Sequence, residues 1–589
     1  MPSRSGRGPR RPGAERGAVI ARKPPERSRQ GTPAASPPGL SAGGSAGLSA
    51  GGWALLLAAF LGAVLSVYQP ALDGPFVSDD FHYVRDNAYI HELSAENLLI
   101  LLDPLGPATI TIVNYSPAQL LLHGLAWQAF GAETFGHHLL NVVLHVLASA
   151  LLVALFLTSG IPRSAAVLGG AFFLLHPANV EAVAWISQLK STLALVLSLV
   201  ALLAYSRRPG LASAFFVLAL LAKPTAAFAL PVVALLDWAR AGRVRWGWLA
   251  LWTLLFLGYA AAEFATHQRT GAVEATLHDT PLVLLRTVAG ISLRYLLMAA
   301  TSYGVSAFHE PEPAFSWLDP WWLGSVPVLA LLGWRVLVVA RRRDVELAYW
   351  TWAVVSFAPI SQIFPFLYPM ADRYLYFILP GLIGGALLAG REGLERLPTA
   401  LAARRQLVGH AALALGIAAA LIFGVRSFER AAIWHSNARL IADAVLHYPD
   451  GQAANIGRAK NAALFGDVEG VMKGLRRARE RGFNRFEQLE ADPAWASVRD
   501  DPEFRALVHE IAGGWIERAR HKPNPTQIEL RSVGHAHIAR GEHAQALEVL
   551  ESALEMGGPR DAEIRAEVAA LRAAIEAGTP ERVRLGRTS

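Results

Sequence analysis

The chain is dominated by long apolar runs between residues 52 and 425. Each is roughly 15 to 22 residues long, which as a helix matches the hydrocarbon core of a bilayer. The fold expected is therefore all-α and polytopic. Spans are expected at 53–68, 138–158, 164–176, 187–206, 210–222, 224–239, 246–264, 321–340, 346–366, 374–390 and 408–425, about eleven in all. Those at 164–176 and 210–222 are short. Composition agrees, with 53% of residues apolar and only 17% charged, against about 25% charged in soluble domains. The chain has no cysteine, so disulfides and thiolate metal sites are excluded.

Charge sets the orientation. Residues 1–30 hold nine Lys/Arg against two Glu, a net +7 that equals the charge of the whole chain. This Pro-, Gly- and Ser-rich tail cannot build a core and is expected to be disordered. Nucleic-acid binding is one reading of such a tail, but topology control explains it more simply, and no nucleic-acid partner is expected. Arg10-Arg11 only weakly imitates a twin-arginine signal, because the first apolar run starts about forty residues later. Arg163, Arg207-Arg208, Arg240/Arg243/Arg245, Arg341-Arg342-Arg343 and Arg391/Arg396/Arg404/Arg405 mark basic loops. Eleven spans put all of these on the side of the N-terminus, which the positive-inside rule places in the cytoplasm. The count requires that residues 282–300 do not cross. Arg286 and Arg294 in that segment would be costly in mid-bilayer, so an interfacial or re-entrant helix on the outward side is expected.

After about Glu429 the composition changes to charged, Ala-rich helix. Ala463-Leu-Phe-Gly-Asp-Val-Glu-Gly-Val and His537-Ile-Ala-Arg-Gly-Glu-His-Ala-Gln-Ala-Leu share a small-residue, turn, amphipathic-helix pattern, as in helix–turn–helix units of the tetratricopeptide kind. Asp492-Pro and Asp501-Pro mark helix starts, with Pro at the first helical position. The expected plan is a basic cytoplasmic tail (1–50), a transmembrane domain (51–428) and a helical, tetratricopeptide-like domain outside the cytoplasm (429–589). A plain α-helical domain is the competing reading of the last part.

The same topology gathers polar residues at the outward ends of the spans. Phe76-Val-Ser-Asp-Asp-Phe-His-Tyr-Val-Arg-Asp-Asn87 follows the first span and carries the paired acids Asp79 and Asp80. A carboxylate is the natural general base for a hydroxyl nucleophile, and a like-charged neighbour raises one pKa of the pair. Lys190, Lys223 and Arg373 suit a phosphate or pyrophosphate leaving group. For Lys190, snorkelling to the interface competes, and for Lys223 and Arg373, a structural ion pair. His176 and Glu181 could bind metal or orient the acid, although His beside Pro at a helix end is commonly structural. Tyr374 and Tyr376 read as interface-belt aromatics, and Tyr376 is counted with the substrate-side residues.

These residues resemble a known family. Phe76-Val-Ser-Asp-Asp with Asn87 resembles the first outer loop of the transmembrane and tetratricopeptide-repeat O-mannosyltransferases and their bacterial relatives. His176-Pro-Ala-Asn-Val-Glu-Ala-Val-Ala-Trp-Ile-Ser187 is similar to their second signature, and Met370-Ala-Asp-Arg-Tyr-Leu-Tyr376 to a third. Asn114-Tyr-Ser-Pro117, and His137-His138 with Asn141 and His145, resemble the stretch between. The chain departs from the family at Ser116, where Arg is frequent, at Pro224, where Glu is frequent, and at Ser191, where an acid is frequent. The resemblance implies a C-type glycosyltransferase fold and a hexosyltransferase that takes mannose or a similar sugar from a polyprenyl-phosphate carrier. It implies a base at Asp79 or Asp80, lipid-phosphate contacts at Lys223 and Arg373, and transfer at the outer face of the plasma membrane. The acceptor would be a protein Ser/Thr hydroxyl, with a lipid or surface glycan as the alternative. The helical domain would bind the acceptor or a protein partner. No cofactor is certain, and a divalent metal ion stays open. A transporter or a membrane-anchored scaffold is the reading from another class. Transporters carry internal repeats and midplane charges, whereas here the charges cluster at one face.

Overall fold

The computed structural model describes residues 47–112, 114–270, 280–361, 369–398, 404–522, 525–557 and 560–579. The expected disordered tail up to residue 46, and the end of the segment expected at 346–366, lie outside these residues. Every regular element among them is helical. Among the described residues eight helices are long and apolar enough to cross a membrane, which makes the chain a multi-pass membrane protein.

In chain order the helices are α1 (Ala50–Leu72), four short helices α2 (Ala88–His91), α3 (Ala95–Leu102), α4 (Pro107–Ile112) and α5 (Pro117–Phe130), then α6 (Thr134–Thr158), α7 (Arg163–Leu174) and α8 (Val180–Ala184). They continue with α9 (Leu189–Ala204), α10 (Pro209–Ala222), α11 (Ala229–Ala241), α12 (Trp246–Thr270), α13 (Pro281–Thr301), α14 (Pro320–Arg342), α15 (Glu346–Phe357), α16 (Asp372–Glu395) and α17 (Arg405–Ala431). The apolar segments of α6, α9 and α16 are each 67% buried, so these helices form the centre. Those of α12, α14 and α17 are only 11–17% buried and present apolar side chains outward, as lipid-facing helices do. α1 buries a single stripe, Phe60, Val64, Val67, Tyr68 and Ala71, at helical spacing.

Each of the eleven expected segments falls on a helix, but four are short. Chain after α7 bends by 50° into α8, and α10, α11 and α15 have 14, 13 and 12 residues. The cause is local. Pro177 and Pro224 each open a 3₁₀ turn at the edge of an expected segment, and Pro359 sits in one inside the segment expected at 346–366, because proline lacks the N–H that continues the ladder.

Side-chain contacts define two ends of the bundle. At one end Arg240 donates to Ser159 Oγ (3.0 Å), Arg391 to the Gly160 carbonyl (2.7 Å), Arg245 to the Tyr205 carbonyl (3.1 Å), and Arg335 to Glu346 (2.7 Å). This end collects the basic loops. At the other end His138 meets the Gly74 carbonyl (3.1 Å), Ser427 donates to the Leu175 carbonyl (2.8 Å), and Lys223 donates to Ser191 Oγ (2.7 Å).

By length and apolarity α13 qualifies as a span. Its contacts, however, keep it at the second end. Arg286 donates to the Ala314 and Phe315 carbonyls (2.9 and 2.8 Å), just before α14 begins. Tyr295 binds the backbone of Ala371 just before α16 begins (3.1 Å), and Ala299 accepts from His176 (3.2 Å).

The rest of the chain folds as α18 (Asn437–His447), α19 (Gln452–Leu464), α20 (Val468–Glu480), α21 (Phe486–Ala491), α22 (Pro502–Arg520), α23 (Gln527–Ala539), α24 (His543–Glu555) and α25 (Asp561–Glu576). α19/α20 and α23/α24 are hairpins that turn at Gly466 and Gly541, both at positive φ (+68° and +75°), where glycine costs least. Asp501 caps α22 by accepting from Glu503 and Phe504 N–H (2.8 and 3.2 Å). The helical domain meets the second end through chain 302–319. Asp443 accepts from Ala307 N–H (2.7 Å), and Glu310 accepts from Gln452 N–H (2.6 Å).

Candidate active site

The loop after α1 is held in an unusual shape. Ser78 adopts φ +51°, rare for a residue with a side chain, and its N–H donates to Asn437 Oδ1 (3.2 Å) at the start of the helical domain. One π-helical turn follows, Phe81–Arg85, a geometry that is rare and recurs at functional sites. The two acids then part. Asp79 is exposed and Asp80 is fully buried.

Asp80 is used internally. One carboxylate oxygen accepts from Ser187 N–H (2.7 Å) and from the Ser187 hydroxyl, the other from Val77 N–H (3.0 Å). Burial pushes its carboxyl up to about 7, against the Ser187 and Val77 hydrogen bonds that lower it. The result is a tie between the acidic loop and the chain entering α9. A second tie lies one turn on. Lys190 donates to Tyr83 Oη (2.9 Å), and Tyr83 in turn donates to the Ile112 carbonyl (3.2 Å). The exposed Asp79 is thus fastened beside the N-terminal turn of α9, which carries Lys190 and Ser191.

The other cations differ in kind. Lys223, at the end of α10, donates to the neutral Ser191 hydroxyl (2.7 Å) and sits 5.4 Å from the Phe377 ring. That hydroxyl partner brings no countercharge. Arg373 is differently placed. Its guanidinium pairs with Glu181, and Glu181 also accepts from Arg373 N–H (2.7 Å). It lies 5.5 Å from the Trp185 ring, which stacks on Trp434.

His176 and Tyr376 do not reach a surface. Both are fully buried. His176 accepts from Ala178 N–H (3.2 Å) at one ring nitrogen and faces the Ala299 carbonyl (3.2 Å) with the other. Tyr376 donates to His145 Nδ1 (3.0 Å), whose other nitrogen faces the Leu174 carbonyl (3.0 Å). Both side chains, expected on the substrate side, have protein partners in the core. The expectation of Tyr376 as an interface-belt aromatic is corrected, since its hydroxyl finds a histidine in the core. Among the described residues no group of three or more His, Asp or Glu side chains converges as a metal-binding set. The buried carboxylates Asp80 and Glu181 are engaged by Ser187 and Arg373.

Two contributors escape sequence reasoning. Ser187 closes the second signature, but nothing in its type marks it as the partner of Asp80. Glu263, near the end of α12, accepts from Tyr115 N–H (2.9 Å) and Tyr259 Oη (3.3 Å) and pins the chain before α5. An acid in a lipid-facing helix was the available signal.

No protein-family model matches the chain, and no curated protein matches it. Among solved structures the chain is similar to the crystal structure of ArnT from Cupriavidus metallidurans bound to undecaprenyl phosphate. The identity is 14%, the match covers 80% of this chain and 81% of that one, and the TM-score is 0.31.

Proposed function

We propose that the protein is a membrane glycosyltransferase of the C-type fold. It would move a hexose from a polyprenyl-phosphate carrier to a hydroxyl acceptor, a protein Ser/Thr in the leading reading. The observation that carries this is the double tie of the acidic loop to α9, Asp80 to Ser187 and Tyr83 to Lys190. It fixes the loop that carries the exposed Asp79 to the start of α9, where Lys190 bonds the Tyr83 hydroxyl and Lys223 bonds the Ser191 hydroxyl. The acceptor oxygen attacks the anomeric carbon and its proton passes to Asp79. The bond from that carbon to the carrier phosphate breaks, and the phosphate departs with the electron pair. Lys190 and Lys223 stabilise the charge that develops there. Asp80 positions the loop and does not itself take the proton. Arg373, paired with Glu181, shapes the same face.

The positive-inside rule puts the arginine-rich end in the cytoplasm and the site on the opposite face. The helical hairpins, read as tetratricopeptide-like units, stand on that face and would present the acceptor. The test is sugar transfer in membranes given a polyprenyl-phosphate hexose, comparing wild type with Asp79→Asn at equal expression. Loss of a general base lowers the rate by about 10²- to 10⁴-fold. Unchanged transfer by Asp79→Asn would overturn the assignment.

A further inference from the structure

At the arginine-rich end, far from the acidic loop, a cavity of about 250 Å³ opens between the end of α9, α11 and the turn into α12. Tyr205, Ser206, Asp237, Arg240, Arg243 and Arg245 line its polar side, and Leu202 and Val233 lie against the bundle. Asp237 is the acid in this set, and Arg245 already claims it. Nε and Nη2 of Arg245 donate to the two carboxylate oxygens (2.8 and 2.9 Å). That pair is internally neutral and lies with its guanidinium 4.2 Å from the Tyr205 ring. Arg240 is held by hydroxyls, Ser159 Oγ at 3.0 Å and Thr158 Oγ1 at 3.4 Å, which fix its position and bring no negative charge. Arg243 is exposed at the rim. The cavity therefore carries a net positive charge on two guanidinium groups.

Its position fits a headgroup layer. The walls are ends of apolar helices, and Trp246, 72% exposed, opens the next one. Tryptophans of this kind gather where hydrocarbon meets water. Basic pockets between helices at the cytoplasmic side hold anionic lipid headgroups. The volume is below the usual range of drug-sized ligand sites, about 300–1,000 Å³, so a small phosphate ester fits and a large cofactor does not.

We propose that this cavity is a binding site for a phosphate ester, engaged by Arg240 and Arg243, at the end of the bundle opposite the acidic loop. The phosphate oxygens accept from both guanidinium groups, the arrangement for which arginine is best suited. The same chemistry has two sources, the headgroup of an anionic phospholipid and free phosphate in the aqueous phase. The inference stands independently of the proposed glycosyl transfer.

The full chain in nanodiscs of phosphatidylcholine, with and without phosphatidylglycerol, tests it by native mass spectrometry of retained lipid. Inorganic phosphate added to the phosphatidylcholine sample, read as a thermal shift, is the second arm. The variants are Arg240→Gln and the rim change Arg243→Ala, at an exposed side chain. Arg341→Gln, a basic residue of the same end outside the cavity, is the control. Phosphatidylglycerol is expected to be retained by wild type and by Arg341→Gln. Retention should fall by about ten-fold in each cavity variant, the factor for one lost charge-assisted hydrogen bond. A thermal shift with inorganic phosphate alone, lost in Arg243→Ala, assigns the site to free phosphate and supports the shared chemistry. Equal ligand binding by Arg243→Ala and wild type in both arms overturns the proposal, and so does an equal loss in Arg341→Gln.

Discussion

Asp79 and Asp80 are neighbours in sequence with opposite environments. The pair itself was legible, because adjacent acids close to an apolar run call for an explanation. Their division of labour was not, because it depends on Ser187 and on which carboxylate the π turn directs inward. Three donors converge on Asp80, so an amide in its place turns an –NH₂ toward at least one N–H. Asp80→Asn is expected to cost about 1–3 kcal/mol, the penalty of an unmet buried hydrogen bond. Ser187→Ala removes the hydroxyl and keeps the N–H bond, so its cost is the smaller of the two. Thermal unfolding in detergent checks both. Asp79→Asn should leave the unfolding midpoint near that of wild type, since its side chain is exposed. A larger loss of stability in Asp79→Asn than in Asp80→Asn would reverse the two roles.

At the scale of elements, periodicity located the helices and proline decided where they break. The expected segments end at 176 and 222, beside Pro177 and Pro224, but the one expected at 346–366 runs through Pro359, because a 3₁₀ turn there keeps the same hydrophobic content. In the helical domain, α23 carries a cluster that composition did not announce. His535 is flanked by Glu487 and Glu567, each 3.2 Å from a different ring nitrogen, and Arg531 donates to Glu567 (2.6 Å). Carboxylates only accept, so both nitrogens carry protons in this setting. Burial lowers the His535 pKa, but the hydrogen bonds to Glu487 and Glu567 outweigh it and the net shift is upward. Burial raises Glu567, yet His535 and Arg531 bring it down to about 2. The raised histidine contributes stability that is present below its ordinary 6.5 and lost as pH rises through the folded value. The depressed Glu567 contributes stability that is present above its ordinary 4.5 and lost as pH falls toward about 2. Amide exchange in α23 should therefore be slowest between about pH 4.5 and 6.5 after correction for intrinsic rates. His535→Gln should flatten the alkaline side of that profile. An unchanged alkaline side in the variant would show that another group sets it.

At the scale of the whole molecule, two ends of unlike charge organise everything else. The arginine loops were legible as one set because few other cations interrupt the apolar runs, and their contacts do gather at one end. The junction with the helical domain was not legible, because chain 302–319 has no periodicity. Asp443 binds Ala307 N–H and pairs with Arg430 (2.5 Å), both side chains largely buried. Asp443→Ala leaves that guanidinium unpaired at a cost of about 3–5 kcal/mol. It should open chain 302–319 to limited proteolysis while the bundle stays intact. The same junction bears on α13, the helix whose composition and contacts disagree. Its apolarity would carry it across a bilayer, but Arg286, Tyr295 and Ala299 are all bonded to chain at the site end. A crossing would leave Thr280 and Tyr303, just outside the two ends of the helix and both exposed, on opposite sides of the membrane. A helix lying along one face leaves them on the same side. The chain has no native cysteine, so Thr280→Cys and Tyr303→Cys can each be labelled without background. In sealed vesicles of known orientation, an impermeant maleimide is expected to reach both positions from one side, and Arg341→Cys from the other. Labelling of Thr280→Cys and Tyr303→Cys from opposite sides would make α13 a span. It would also put the acidic loop and the helical domain on different faces, and a shared acceptor site between them would fail with it.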